Sequence, residues 1–142
     1  MTETATPTPP DGFELAANRG AFAIHNGPFY YETASAEGAR QAFFAEARHT
    51  NGYGLVHGGM ISAFLDGTMS QAVRRATGKS GVTVQFSLSY LHMARPGEWL
   101  ISEAKVVRST RDIVFVEGRV VVGDLDVVRA SAVFKLMHDR NG

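Results

Sequence analysis

From Gly59 to Thr77 the chain is apolar at Met60, Ile61, Ala63, Phe64, Leu65, Met69, Ala72, Val73 and Ala76. At helical spacing these positions cover most of the circumference, the pattern of a helix buried on most sides. Arg74 and Arg75 fall in its last turns, where cations suit the helix dipole, and Gly78 suits a C-terminal cap. After Gly78 the period changes to two. Val82, Val84, Phe86, Leu88 and Tyr90 alternate with Thr83, Gln85, Ser87 and Ser89, which predicts a half-buried antiparallel strand with Thr83 on its polar face. Further strands are expected from about Trp99 to Arg108, from Ile113 to Val122 and from Asp126 to Met137. Pro96-Gly97 and Gly123-Asp124 supply the turns between them.

Ahead of the helix the signals are weaker. Phe13 to Asn18 reads as a short helix ended by Gly20, and Phe29-Tyr30-Tyr31 after Gly27-Pro28 as a strand start. The composition of Arg40 to Ala47 suits a helix, but a strand fits between its neighbours and is the reading adopted. Residues 48–59 read as a loop. Residues 1–12, rich in Thr and Pro, read as a disordered tail, so the folded domain is expected over residues 13–142. One long buried helix, about four antiparallel strands after it and one or two before it require a sheet that curls around the helix. That is an α+β architecture, the hotdog fold.

The bulk numbers narrow the function. The chain has 142 residues, 14 basic and 14 acidic side chains and a formal net charge of zero. A nucleic-acid partner is not expected without a basic excess. There is no cysteine, which removes thiol nucleophiles, disulfides and cysteine-ligated metals. No apolar run reaches the roughly 18 residues that span a membrane, and the N-terminus has no secretory pattern, so a cytoplasmic location is expected. His25, His49, His57, His92 and His138 show no metal-ligand spacing, so neither a metal nor a separate cofactor is expected. Gly78-Lys79-Ser80 resembles the end of a phosphate loop but closes a helix instead of opening one.

Two places carry candidate chemistry. His57-Gly58-Gly59 opens the long helix, whose first N–H groups lack intrahelical partners and suit a developing oxyanion; the glycines let a ligand approach the main chain. A plain tight turn is the alternative. Asp66 sits among apolar residues of the same helix, on a stripe with Ser62, Met69 and Ser70. That stripe faces solvent, a polar cavity or a subunit interface, and the apolar surroundings favour the cavity. Thr83 is by composition an ordinary strand threonine. Arg95, Arg108 and Arg111 near strand ends are candidates to grip phosphates.

Asn51-Gly52-Tyr53-Gly54-Leu55-Val56-His57-Gly58-Gly59, with Asp66 nine residues after His57, resembles hotdog thioesterases of the phenylacetyl-CoA thioesterase and acyl-CoA thioesterase 13 type. Gly81 to Leu91, then Arg95-Pro96-Gly97-Glu98, and Ala130 to Lys135 extend the resemblance over about residues 25–138. It implies acyl-CoA hydrolysis, with coenzyme A entering as part of the substrate. By the same resemblance Asp66 is the base or nucleophile and the Gly58 N–H polarises the thioester carbonyl. His57 shapes the loop, Asn51 positions water or leaving group, and Thr83 holds water or carboxylate. The family's dimeric assembly implies a homodimer or dimer of dimers. Spacing agrees: Asp66 lies eight residues after Gly58, about 12 Å along a helix, too far for both to serve one carbonyl within one chain. The competing readings are a hotdog hydratase or dehydratase, whose local motif is missing, and a non-catalytic acyl-CoA-binding module, which has no need of Asp66.

Overall fold

The computed structural model describes residues 7–17, 20–33 and 37–138. Strand β1 (Phe13–Leu15) is followed by helix α1 (Ala21–Asn26), strands β2 (Tyr30–Glu32) and β3 (Ala39–Phe44), and one 3-10 turn at Ala47–His49. Helix α2 (Gly58–Thr77) then leads into four long strands: β4 (Gly81–Tyr90), β5 (Trp99–Ser109), β6 (Ile113–Val122) and β7 (Leu125–Leu136). All pairings are antiparallel, in the order β1-β2-β3-β5-β6-β7-β4. The expected hotdog architecture is what forms: one sheet wrapped around one long helix. No helix among the described residues is long and apolar enough to cross a membrane.

The core lies between α2 and the concave face of the sheet. Ile61, Phe64, Leu65, Met69, Ala72 and Val73 are buried against Leu100, Val114, Val116, Val120, Val128 and Phe134. Each large side chain removed from water contributes about 1.5–3 kcal/mol, so this one contact outweighs the local preferences of either element. Phe43 and Phe64 meet edge to face at 4.6 Å between ring centroids, which locks β3 to the helix. The helix ends at Gly78, left-handed at φ 74°, whose N–H donates to Arg74 O at 2.8 Å.

The N-terminal part departs from expectation. Phe13 to Leu15 is a strand paired with β2, because Phe13 completes a small second core with Tyr30, Ala42, Trp99 and Ile101. Three residues cannot signal their own period, so tertiary pairing decides. The helix comes later, at Ala21–Asn26, and none of its residues is buried. Of the expected tail, residues 1–6 lie outside the described residues; residues 7–12 form no helix or strand and end in a turn at Asp11-Gly12.

Strand β4 holds the main correction. Its pairing with β7 slips between Thr83 and Gln85, leaving Val84 as the extra residue of a β-bulge. Before the bulge Gly81 and Thr83 face α2; after it Phe86, Leu88 and Tyr90 do. Val82 and Val84 are exposed instead. Thr83 therefore does not share an outer polar face with Gln85 and Ser87 but looks at the helix.

The loop before α2 is braced by a buried histidine. The His49 Nδ1 accepts the Glu46 N–H at 3.0 Å, so the neutral ring carries its proton on Nε2 and donates to Asn26 O at 2.7 Å. Its ring stands edge-on to Phe43, and its carbonyl accepts the His57 N–H at 2.8 Å. Arg48 beside it ties His25 O, Gly27 O and Glu46.

Two outcomes follow for stability. An ideal Cβ on Gly118 of β6 would lie 2.9 Å from Glu103 O and 3.0 Å from both Leu65 and Met69 side chains. Gly118→Ala is therefore expected to cost about 1–3 kcal/mol in urea unfolding, as overpacking does; an equally stable variant would mean that helix and sheet do not meet so closely. Burial holds the His49 pKa below its ordinary 6.5, with the Arg48 charge adding to this and the Asn26 carbonyl and Glu46 opposing it. A depressed histidine leaves the unfolded chain binding more protons, so stability falls as pH drops below about 6.5. His49→Gln keeps a donor for Asn26 but cannot titrate. Between about pH 8 and pH 5 its unfolding free energy is expected to vary less than that of the parent, and parallel curves would contradict the assignment.

Candidate active site

At the start of α2 a single histidine consumes nearly every free donor. His57 is the N-cap: its Nδ1 accepts the Gly59 N–H at 2.8 Å, and its carbonyl accepts the N–H groups of Met60 at 2.9 Å and Ile61 at 3.2 Å. Among the described residues the Gly58 N–H has no acceptor. The helix thus presents one unclaimed amide at its positive end, where a developing anion is best stabilised. Because Nδ1 accepts, the neutral His57 ring carries its proton on Nε2, and this second donor points away from the cap. The Gly59 amide, expected to help bind the ligand, is committed to His57.

Asn51 organises the preceding loop. Its Oδ1 accepts the N–H groups of Tyr53 at 2.9 Å and Leu55 at 3.2 Å, an Asx-type turn, and its own N–H donates to Leu55 O at 2.8 Å. The Asn51 side-chain NH₂ has no acceptor among the described residues and remains a donor for a ligand.

Two turns into α2, Asp66 is half-buried on the side of the helix away from the sheet core. Thr83 Oγ1 donates to Asp66 Oδ1 at 2.5 Å, a short charge-assisted hydrogen bond. No cation pairs with this carboxylate among the described residues. Asp66 and Thr83 are brought together by the bulge in β4, which turns Thr83 inward. At the other end of the strand Tyr90, which the alternation pattern marked only as another inward position, donates its hydroxyl to Gly58 O at 2.7 Å. One strand thus touches both chemical places on the helix.

The three candidate arginines do not form one patch within a chain. Arg108 and Arg111 lie at the β5–β6 hairpin, level with the start of β4 through the register Arg108↔Phe115, Phe115↔Val133 and Gln85↔Val133. Arg95 lies beyond the far end of β4, about 30 Å away at strand rise. All three are exposed and without an ion pair among the described residues. A cleft of about 450 Å³ is lined by Leu15, Ala23, Ile24, Pro28, Phe29 and Arg48. Another of about 590 Å³ on the outer sheet face is lined by mutually paired charges, among them Arg40, Glu103 and Arg119. Neither includes Asp66 or Gly58. No group of three or more side chains suited to a metal ion occurs among the described residues.

Comparison with known proteins adds to this geometry. A Pseudomonas aeruginosa protein carrying an esterase name is 28% identical over 129 residues, 89% of this chain and 96% of that protein. Human acyl-coenzyme A thioesterase 13 is 30% identical over 71 residues, 49% of this chain and 51% of its own. The structure of a Streptococcus mutans protein bound to acetyl CoA superposes with a TM-score of 0.70 at 25% identity, covering 78% of this chain and 90% of that one. The family model of the thioesterase superfamily matches residues 53–129, a span that runs from the loop before His57 through Asp66 and Thr83 and on into β7. The chain belongs to the thioesterase superfamily.

Proposed function

We propose that the protein is an acyl-CoA thioesterase in which Asp66 drives hydrolysis and the Gly58 N–H polarises the thioester carbonyl. The observation that carries this reading is the Asp66–Thr83 pair: a carboxylate on a largely buried helix, held by one hydroxyl at 2.5 Å and paired with no cation among the described residues. The names of the thioesterase relative and of the acetyl CoA complex support the substrate class.

In the reaction an oxygen nucleophile adds to the thioester carbon, the carbonyl oxygen takes up negative charge, and the C–S bond breaks. Asp66 either accepts the proton of the attacking water or attacks first and is released by water. Both routes need an ionised carboxylate beside the carbonyl. The products are the free acid and the coenzyme A thiol. The Gly58 amide and the His57 Nε2–H are the donors for the oxyanion. Asn51, with its NH₂ unspent, is placed to orient water or leaving group. Thr83 leaves one Asp66 oxygen free while fixing the other.

The site is completed between two copies. On one helix Asp66 and Gly58 are about 12 Å apart, so one carbonyl meets Asp66 of one copy and Gly58 of another. Strand β4 is the last strand of the sheet, with an unpaired edge and exposed Val82, Val84 and Tyr90; such an edge invites strand addition. Twofold antiparallel pairing of β4 with its symmetry mate sets the Gly58, Tyr90 and Arg95 end of one copy against the Asp66, Thr83, Arg108 and Arg111 end of the other. The arginines that are scattered within a chain then converge as candidates for the coenzyme A phosphates.

Because the chain lacks cysteine, released coenzyme A can be followed with a thiol reagent free of protein background. Asp66→Asn is expected to lower kcat on the best acyl-CoA about 10²–10⁴-fold while retaining the fold and substrate binding, and Thr83→Ala to lower it less. Near-normal turnover by the residue 66 variant would place the active site elsewhere. Sedimentation under assay conditions is expected to show a dimer or dimer of dimers; a fully active monomer would refute the shared site.

A further inference from the structure

Gly58 carries the amide that the reading above assigns to the oxyanion, yet glycine is the residue least able to hold a direction by itself. The helix start fixes one side of it: the His57 carbonyl shares a peptide plane with the Gly58 N–H and is held by the Met60 and Ile61 amides. His57 engages the amides of Gly59, Met60 and Ile61, not that of Gly58. What holds the other side of Gly58 is Tyr90. Its hydroxyl donates to Gly58 O at 2.7 Å. Its ring also lies against the Gly58 α-carbon: an ideal Cβ there would stand 2.9 Å from Tyr90 Cζ and from the hydroxyl oxygen, and 3.2 Å from Cε1.

These two contacts act on the same residue from a rigid support. Tyr90 is the last residue of β4 and pairs with Val128 on β7. Without the bulge at Val84 the seven-residue step from Thr83 would turn Tyr90 to the opposite face of the strand. The ring is half exposed, at 53%, so it fills no core position that would explain its place by burial.

We propose that Tyr90 is a positioning residue for the Gly58 amide: the peptide plane before the α-carbon is held through the His57 carbonyl, the Tyr90 hydroxyl holds the plane after it and the ring holds the α-carbon itself, so that the N–H keeps its aim. This inference rests on the proposed thioesterase site, but it also makes a structural claim that can be tested without turnover. The cost of losing it should be less than that of removing an oxyanion donor outright, which is about 10²–10³-fold in kcat.

The test uses the full chain and the variants Tyr90→Phe and Tyr90→Ala, with two readouts. In steady-state hydrolysis Tyr90→Phe is expected to lower kcat about 3–10-fold, and Tyr90→Ala about 10–100-fold, with KM within about twofold and thermal midpoints near the parent's. In ¹⁵N-labelled protein the Gly58 and Gly59 amides, which belong to the two peptide planes meeting at the Gly58 α-carbon, are expected to show increased mobility or exchange broadening in Tyr90→Phe while the amides of Met60 and Ile61, held by the His57 carbonyl, stay as they are. Unchanged kcat in Tyr90→Phe, a loss confined to KM, a loss that tracks a lowered thermal midpoint, or an unaltered Gly58 amide would each overturn the proposal. If instead the parent hydrolyses no acyl-CoA while the Gly58 amide loosens as expected, the functional reading fails and the positioning contact stands.

Discussion

The structure depends on one helix serving two faces. The inner face of α2 is closed against the sheet by Phe64, Leu65, Met69 and Val73, and the absence of a side chain at Gly118 lets it come that close. Once this face is buried, the rotation of the helix about its axis is set, and with it the outward direction of Asp66. Core packing costs too much to disturb for a rotation of even one residue to be tolerated. The chemistry is therefore aimed by apolar contacts on the far side of the helix. What remains is to hold the carboxylate and the helix start from outside, and strand β4 does both.

The electrostatics follow the same economy. Asp66 is held by the Thr83 hydroxyl, and no cation pairs with it among the described residues. A salt bridge would anchor the side chain but would also occupy its oxygens. At the helix start His57 satisfies the amides behind Gly58 and leaves the first. The loop that delivers His57 is fastened by His49 and Arg48 to the C-terminal carbonyls of α1, where donors and a cation are favoured. Only the neutral His49 ring also accepts the Glu46 N–H, and burial and the Arg48 charge keep its pKa low.

Much of this was legible in the sequence, and the failures have physical causes. Helix α2 announces itself because its apolar positions recur over twenty residues, long enough for the period to outweigh local ambiguity. Strands β5 to β7 read correctly for the same reason, with Gly97 and Gly123 marking their turns. Strand β1 spans three residues, too few to show a period, so only Phe13 finding Tyr30 and Ala42 reveals it; its partner β2 is as short, and only Gly27-Pro28 ahead of Phe29-Tyr30-Tyr31 made its start legible. The bulge is the instructive case. Val82, Val84, Phe86, Leu88 and Tyr90 alternate without interruption, and no glycine or proline marks the slip. Two valines that looked like core lie outside, and a threonine that looked solvated holds the carboxylate. Tyr90 and His49 were missed because their roles rest on hydrogen bonds to backbone carbonyls and amides, which leave no pattern in a sequence.

The bulge also bears on the proposal that the site lies between copies. A regular β4 would present Val82 and Val84 to the helix and turn Thr83 away, so Asp66 would lose its holder. Slipping by one residue brings Thr83 in and puts the two valines out, on a strand whose edge is already unpaired. One local irregularity thus creates the polar contact and the apolar exposure together. On the two-copy reading these are not separate features: the valines help draw in the second copy, and the second copy supplies the Gly58 amide that Asp66, about 12 Å from its own, cannot use. Removing the bulge would then dismantle the site twice, once by withdrawing Thr83 and once by weakening the surface on which the partner's amide arrives.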